Sequence, residues 1–103
     1  MRTNMIRHIV LWSLPANDPE KAVHAQEIKD LLEGLVGQIP SILHLEVGIN
    51  LPETPDTNWD VALFSEFEDR ASLEAYQNHP AHQAGIPRIK SLVSGRTCVD
   101  YEV

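Results

Sequence analysis

Residues Trp59 to Phe67 read WDVALFSEF. The run is short, apolar and rich in residues that favour pleated backbone, which predicts a β-strand. Alternate positions fall on opposite faces. Val61, Leu63, Ser65 and Phe67 therefore oppose Asp60, Ala62, Phe64 and Glu66. Both faces carry large apolar groups, so this strand needs cover on both sides. Moving toward the N-terminus, Pro52 to Asn58 (PETPDTN) is a polar loop of turn formers. Before it, Leu43, Leu45, Val47, Ile49 and Leu51 alternate with His44, Glu46, Gly48 and Asn50, a period-2 strand with one apolar face. A helix precedes that strand. Asp18-Pro19 is its expected start, Ala25, Ile28, Leu32 and Leu35 form its apolar stripe, and Gly37 with Pro40 end it. Ile6 to Leu14 (IRHIVLWSL) is a further strand, stopped by Pro15.

Toward the C-terminus, Asp69 caps a helix running to Asn78. Pro80 restarts a helical stretch, HPAHQAGIPRIKSLV, in which Gly85 and Pro87 are expected to cause a bend or break. Arg96 to Val103 (RTCVDYEV) is the last strand. The order β-α-β-β-α-β predicts an α+β, ferredoxin-like domain: a four-stranded antiparallel sheet with helices on one face. It spans residues 6–103 as a single domain, and residues 1–5 read as a flexible start.

Two helical layers cover one sheet face only. The other face should then be polar in a monomer, yet Ile9, Leu11 and Phe64 point there. Burying each yields about 1.5 to 3 kcal/mol. The sequence therefore predicts a homodimer whose sheets pack together into a barrel.

Composition narrows the function. With 103 residues, 43% hydrophobic and 22% charged, the chain matches ordinary globular usage and not intrinsic disorder. No apolar run is long enough to span a bilayer. The net charge is −7, and the eight bases are scattered, which disfavours nucleic acid. Seven acids against one base, Arg70, between Glu53 and Glu74 read as a solvated surface. A lone cysteine, Cys98, and no secretory signal predict a cytoplasmic setting. His79 and His82 stand at a spacing that can serve zinc, but no second ligand pair accompanies them, and there is no glycine-rich phosphate loop. Neither metal nor cofactor is expected.

IRHIVLWSL, Ile39-Pro40 after the first helix, WDVALFSEF, EAYQNHPAH at 74–82 and the terminal VDY at 99–101 resemble the stress-responsive A/B barrel family, also called dimeric α/β barrel domains. The resemblance covers about Arg7 to Val103 and implies a ferredoxin-like subunit dimerised through its sheets. The family includes stress-induced plant proteins, members without assigned activity, and a polyketide cyclase. That cyclase works without metal, using a tyrosine and a histidine in a pocket between helices and sheet. By position, Tyr76 matches the tyrosine and His82 the histidine. His8 matches a second pocket histidine, and Asp100 an aspartate of the last strand. Val61 and Leu43 stand where the cyclase has a histidine and a lysine.

On that resemblance Tyr76, His82, His8 and Asp100 are the candidate catalytic residues, with Val10, Trp12, Val61 and Leu63 as pocket walls. His82 would act as base, with Asp100 accepting its other ring N–H, and Tyr76 would donate to a carbonyl or enolate oxygen. Structural roles compete with these. His79 can cap a helix, His82 can tie helix to strand, and Tyr76 and His8 can be satisfied core residues. Three readings stay open: a protein that binds a small apolar or aromatic ligand, a cofactor-independent cyclase or lyase, and a barrel resembling monooxygenases of quinone-like substrates.

Overall fold

A computed structural model describes residues 4–103. The elements run β1 (Ile6–Ser13), α1 (Lys21–Glu33), β2 (His44–Ile49), β3 (Val61–Phe67), α2 (Arg70–Asn78), α3 (Pro80–Leu92) and β4 (Gly95–Glu102). The strands form one antiparallel sheet in the order β2-β3-β1-β4. This is the ferredoxin-like arrangement, with the second helical segment divided in two. Of the start expected at residues 1–5, residues 1–3 lie outside the described residues. Met5 accepts a hydrogen bond from the Val103 N–H, and the Asn4 amide donates to Glu102.

The strand parities sort as the alternation implies. Ile6, His8, Val10 and Trp12 of β1 are buried, as are Val61, Leu63, Ser65 and Phe67 of β3. These side chains face the helices, where Ile28 and Leu32 of α1, Tyr76 of α2 and Ile89 of α3 close the core. Burial of such side chains is the main stabilising term, at about 1.5 to 3 kcal/mol each. The opposite parity leaves Ile9, Leu11 and Phe64 half-buried and Val99 and Tyr101 exposed. Among the described residues no helix covers this second face. The edge strand β2 is tied to α1 through Lys29, which donates to the Val47 carbonyl, and Glu33, which accepts from the Val47 N–H.

Helix boundaries show where local chemistry was misread. Asp18 does not cap α1 directly. Its carboxylate accepts from the Glu20 N–H and pairs with His24, and the helix begins at Lys21. After Glu33 the chain descends through turns to Gly37, whose φ of 91° is the left-handed conformation that favours glycine. Of the bend or break expected at Gly85 and Pro87, the break does not occur: α3 runs through both. Ile89 and Leu92 anchor its inner face. Pro87 and Gln83, four residues back, are exposed, so the carbonyl deprived of its donor is within reach of water. The discontinuity lies earlier, at His79, whose extended backbone (φ −66°, ψ 137°) separates α2 from α3.

Candidate functional site

That discontinuity builds the site. Asp69 caps α2 by accepting from the Ser72 N–H, which sets the helix phase so that Leu73 and Tyr76 face the sheet. His79 then closes α2 and opens α3, its Nδ1 accepting from the Ala81 N–H. Pro80 occupies the first turn of α3. His82 follows within that turn, beside Tyr76. The two rings meet edge to face with centroids 4.6 Å apart. Phe67 packs on the Tyr76 ring at 5.0 Å, and His8 stands edge-on at 6.2 Å.

A cavity of about 280 Å³ opens between helices and sheet at this point. His8, Tyr76 and His82 line it together with the apolar walls Val10, Trp12, Leu63, Ile86 and Ile89. Two of its polar atoms are buried without a hydrogen-bond partner among the described residues: the Tyr76 hydroxyl and His82 Nδ1. Buried polar groups are nearly always paired, so two orphans on one cavity are unusual. Tyr76 is fully buried, and burial pushes its pKa up to about 12, against a small opposing pull from the Arg96 charge. His82 is shifted down. Burial is the main cause, with like charge at His8 and Arg96 adding to it and the Gln77 carbonyl opposing. Near pH 7 the site therefore presents a neutral phenol that can donate and a neutral imidazole that can accept.

The structure brings some of the residues expected from the sequence together and keeps others apart. Tyr76, His82 and His8 share one cavity, and Val10, Trp12 and Leu63 form walls of it. Val61 is buried on the same sheet face but outside this lining. Asp100 does not reach His82. Its carboxylate bonds His8 Nδ1 instead, because the antiparallel register of β1 and β4 sets residue 8 directly opposite residue 100. Some of the competing structural roles have visible contacts. His79 is a helix cap and His8 is a satisfied buried histidine, whereas the Tyr76 hydroxyl lacks the partner a purely structural role supplies.

Three residues escaped the sequence reading. Arg96 and Lys90 line the cavity, and Cys98 lies against His8. Period-2 geometry held the clue for two of them. Once Asp100 faces the helices, Cys98 and Arg96 on the same strand must do so too. His8, Cys98 and Asp100 place their donor atoms within 4.8 Å of one another, a grouping with the chemistry to hold a metal. Their recorded contacts are mutual: the Cys98 sulfur lies 3.5 Å from His8 Nδ1 and 3.5 Å from the Asp100 carboxylate. Burial and the Asp100 charge push the Cys98 thiol up, so it stays protonated near neutrality. Both partners meet the same nitrogen of His8, which excludes a relay through the ring from carboxylate to thiol.

Comparison with known proteins sets this geometry in context. The chain is 37% identical to a dimeric protein of unknown function and ferredoxin-like fold from Bacteroides fragilis, with a TM-score of 0.87 and 96% of each chain covered. It is 33% identical over 82 residues to an uncharacterized protein of Streptomyces coelicolor, covering 80% of this chain and 84% of the relative. A hydroxynitrile lyase from Passiflora edulis shares the fold at 17% identity, with a TM-score of 0.80 over 98% of this chain and 94% of its own. The family model described as the stress responsive A/B barrel domain matches residues 6–103, and the chain belongs to that family.

Proposed function

We propose that the protein is a homodimer that binds a small apolar or aromatic carbonyl compound in the helix–sheet cavity and moves a proton on it with His82 and Tyr76. One observation carries the reading: a buried hydroxyl and a buried imidazole nitrogen, both without hydrogen-bond partners among the described residues, on the wall of one largely apolar cavity. An apolar wall with a few convergent polar groups is the usual form of a small-molecule site. In the reaction, His82 Nδ1 takes the proton from the carbon next to the carbonyl. The Tyr76 hydroxyl donates to the oxygen as enolate charge develops there. The proton, or a solvent proton exchanged onto His82, returns to the same carbon as the enolate collapses to the carbonyl, and the Tyr76 hydroxyl keeps its own proton. His8, held by Asp100, fixes the cavity floor and acts as a positioning residue.

Dimerisation through the second sheet face belongs to the same reading. It is supported by the apolar groups left open on that face and by the dimeric state of the Bacteroides relative. No helix among the described residues is long and apolar enough to cross a membrane. The lone cysteine supports a reducing, cytoplasmic setting.

Exchange of the methyl protons of acetophenone into deuterated water, followed by NMR, tests the chemistry. The expected result is exchange faster than in buffer, falling by about 10²-fold or more in His82→Ala. Exchange no faster than in buffer refutes the acid–base role, and an unchanged rate in His82→Ala removes His82 from it.

A further inference from the structure

The charges around the cavity are not those of the rest of the molecule. The chain carries a net charge of −7. Among the described residues, Arg7, Lys21, Lys29 and Arg88 each pair with a carboxylate. The other bases among the described residues are Arg70, Lys90 and Arg96, and none of these is in an ion pair there. Two of the three, Lys90 and Arg96, line the cavity that holds Tyr76 and His82.

They reach it from different elements, Lys90 from the last turn of α3 and Arg96 from the start of β4. Lys90 also complements the negative end of its helix. That accounts for its sign but not for its meeting Arg96 at one opening. Arg96 lies opposite Trp12 in the β1–β4 register, on the helix-facing side of the sheet. The Asp100 carboxylate, farther along the same strand face, contacts His8 and the Cys98 thiol and makes no ion pair with Arg96 among the described residues. Both cations are exposed, which puts them at the mouth, with the apolar walls and the two orphaned polar atoms inside.

We infer that the ligand of this cavity carries an anionic group, such as a carboxylate, which Lys90 and Arg96 hold at the mouth while the apolar body lies against Trp12 and Leu63. The inference rests on the reading that the cavity binds a small molecule, and it adds the charge of that molecule. A guanidinium and an ammonium on the lining of one cavity suit a carboxylate, since both donate charge-assisted hydrogen bonds. The positive potential of Arg96 extends inward as well, for it lowers the pKa of His82 and opposes the rise at Tyr76. An anion bound at the mouth would offset that field and make His82 a stronger base. The cavity volume, about 280 Å³, admits one ring with a short substituent.

Two probes of nearly one shape separate the terms: cinnamate, with a carboxylate, and cinnamamide, its neutral counterpart. Binding of each to the full-length protein is measured by calorimetry at low salt, in the wild type and in the double variant Lys90→Gln, Arg96→Gln. Both positions are exposed, and thermal unfolding confirms that the double variant folds. The expected result is cinnamate binding about tenfold tighter than cinnamamide, a preference that shrinks with added salt and falls to about one in the double variant. Equal binding of the two probes to the wild type overturns the inference and leaves the cavity reading standing. A preference that survives in the double variant also overturns it, by placing the charge recognition elsewhere. Failure of both probes to bind refutes the cavity reading itself, and this inference with it.

Discussion

Replacing Tyr76 by phenylalanine should make the protein more stable. Tyr76 is fully buried, its ring is held by Phe67, His82 and His8, and its hydroxyl has no partner. A buried hydroxyl without a hydrogen bond costs about 1 to 3 kcal/mol relative to water. Phenylalanine keeps the ring contacts and removes that cost. Tyr76→Phe should therefore gain about 1 to 2 kcal/mol at pH 7, and each kcal/mol is worth roughly 4 to 8 °C in a domain of this size. A second signal comes from pH. The phenol titrates at about 12 in the folded chain against an ordinary value of 10.0. A raised pKa means that the unfolded state loses its proton first. The associated stability is intact below pH 10 and is lost as the pH climbs from 10 to 12, by about 2 to 3 kcal/mol in all. The phenylalanine variant lacks this loss. Urea unfolding at fixed protomer concentration, at pH 7 and across pH 9 to 11.5, measures both effects. A variant less stable than the wild type by 1 kcal/mol or more would show that the hydroxyl is satisfied, and the argument for a ligand-facing donor would fail.

Other expectations follow from the same structure. Leu11→Asp, on the sheet face that no helix covers, should leave the fold intact but shift the protein to monomer in sedimentation at low micromolar concentration; an unaltered dimer would place the interface elsewhere. His82 has a lowered pKa in the folded state, so the unfolded chain binds its proton first as the pH falls below about 6.5. Stability should decline from there down through the folded pKa. His82→Gln should flatten that part of a pH series of unfolding midpoints, and an unchanged series would contradict the buried, neutral assignment. Pro87→Ala restores a backbone donor inside α3 and should stabilise the protein by about 1 to 2 kcal/mol, less than the full helix penalty of proline because the proline also restricts the unfolded chain. A loss of stability there would mean that Pro87 fits its place in α3 better than the helix-propensity argument allows.

Most of the fold was legible because alternation carries it. The alternation within Ile6–Ser13 and Val61–Phe67 distinguishes the buried face from the open face. Asp69 and His79-Pro80 marked the ends of α2 by chemistry that acts within four residues. What was misread depends on distant partners. Pro87 looks like a helix breaker in isolation, but packing of Ile89 and Leu92 against the core holds α3 together across it. Asp100 was assigned to His82 because the family resemblance placed both in one site, whereas strand register gives it to His8. Arg96 and Lys90 were invisible for the same reason. Neither sits in a recognisable motif, and only the folded chain brings them, from α3 and from β4, to the lining of one cavity.

The imidazole of His82 reports most directly on whether the cavity is a working site. Nitrogen NMR of its ring, during titration with acetophenone, should show the Nδ1 resonance moving saturably while those of His24 and His44, both outside the cavity, stay fixed. An Nδ1 resonance that does not move at millimolar ligand, or that moves only in step with the other histidines, would contradict the account.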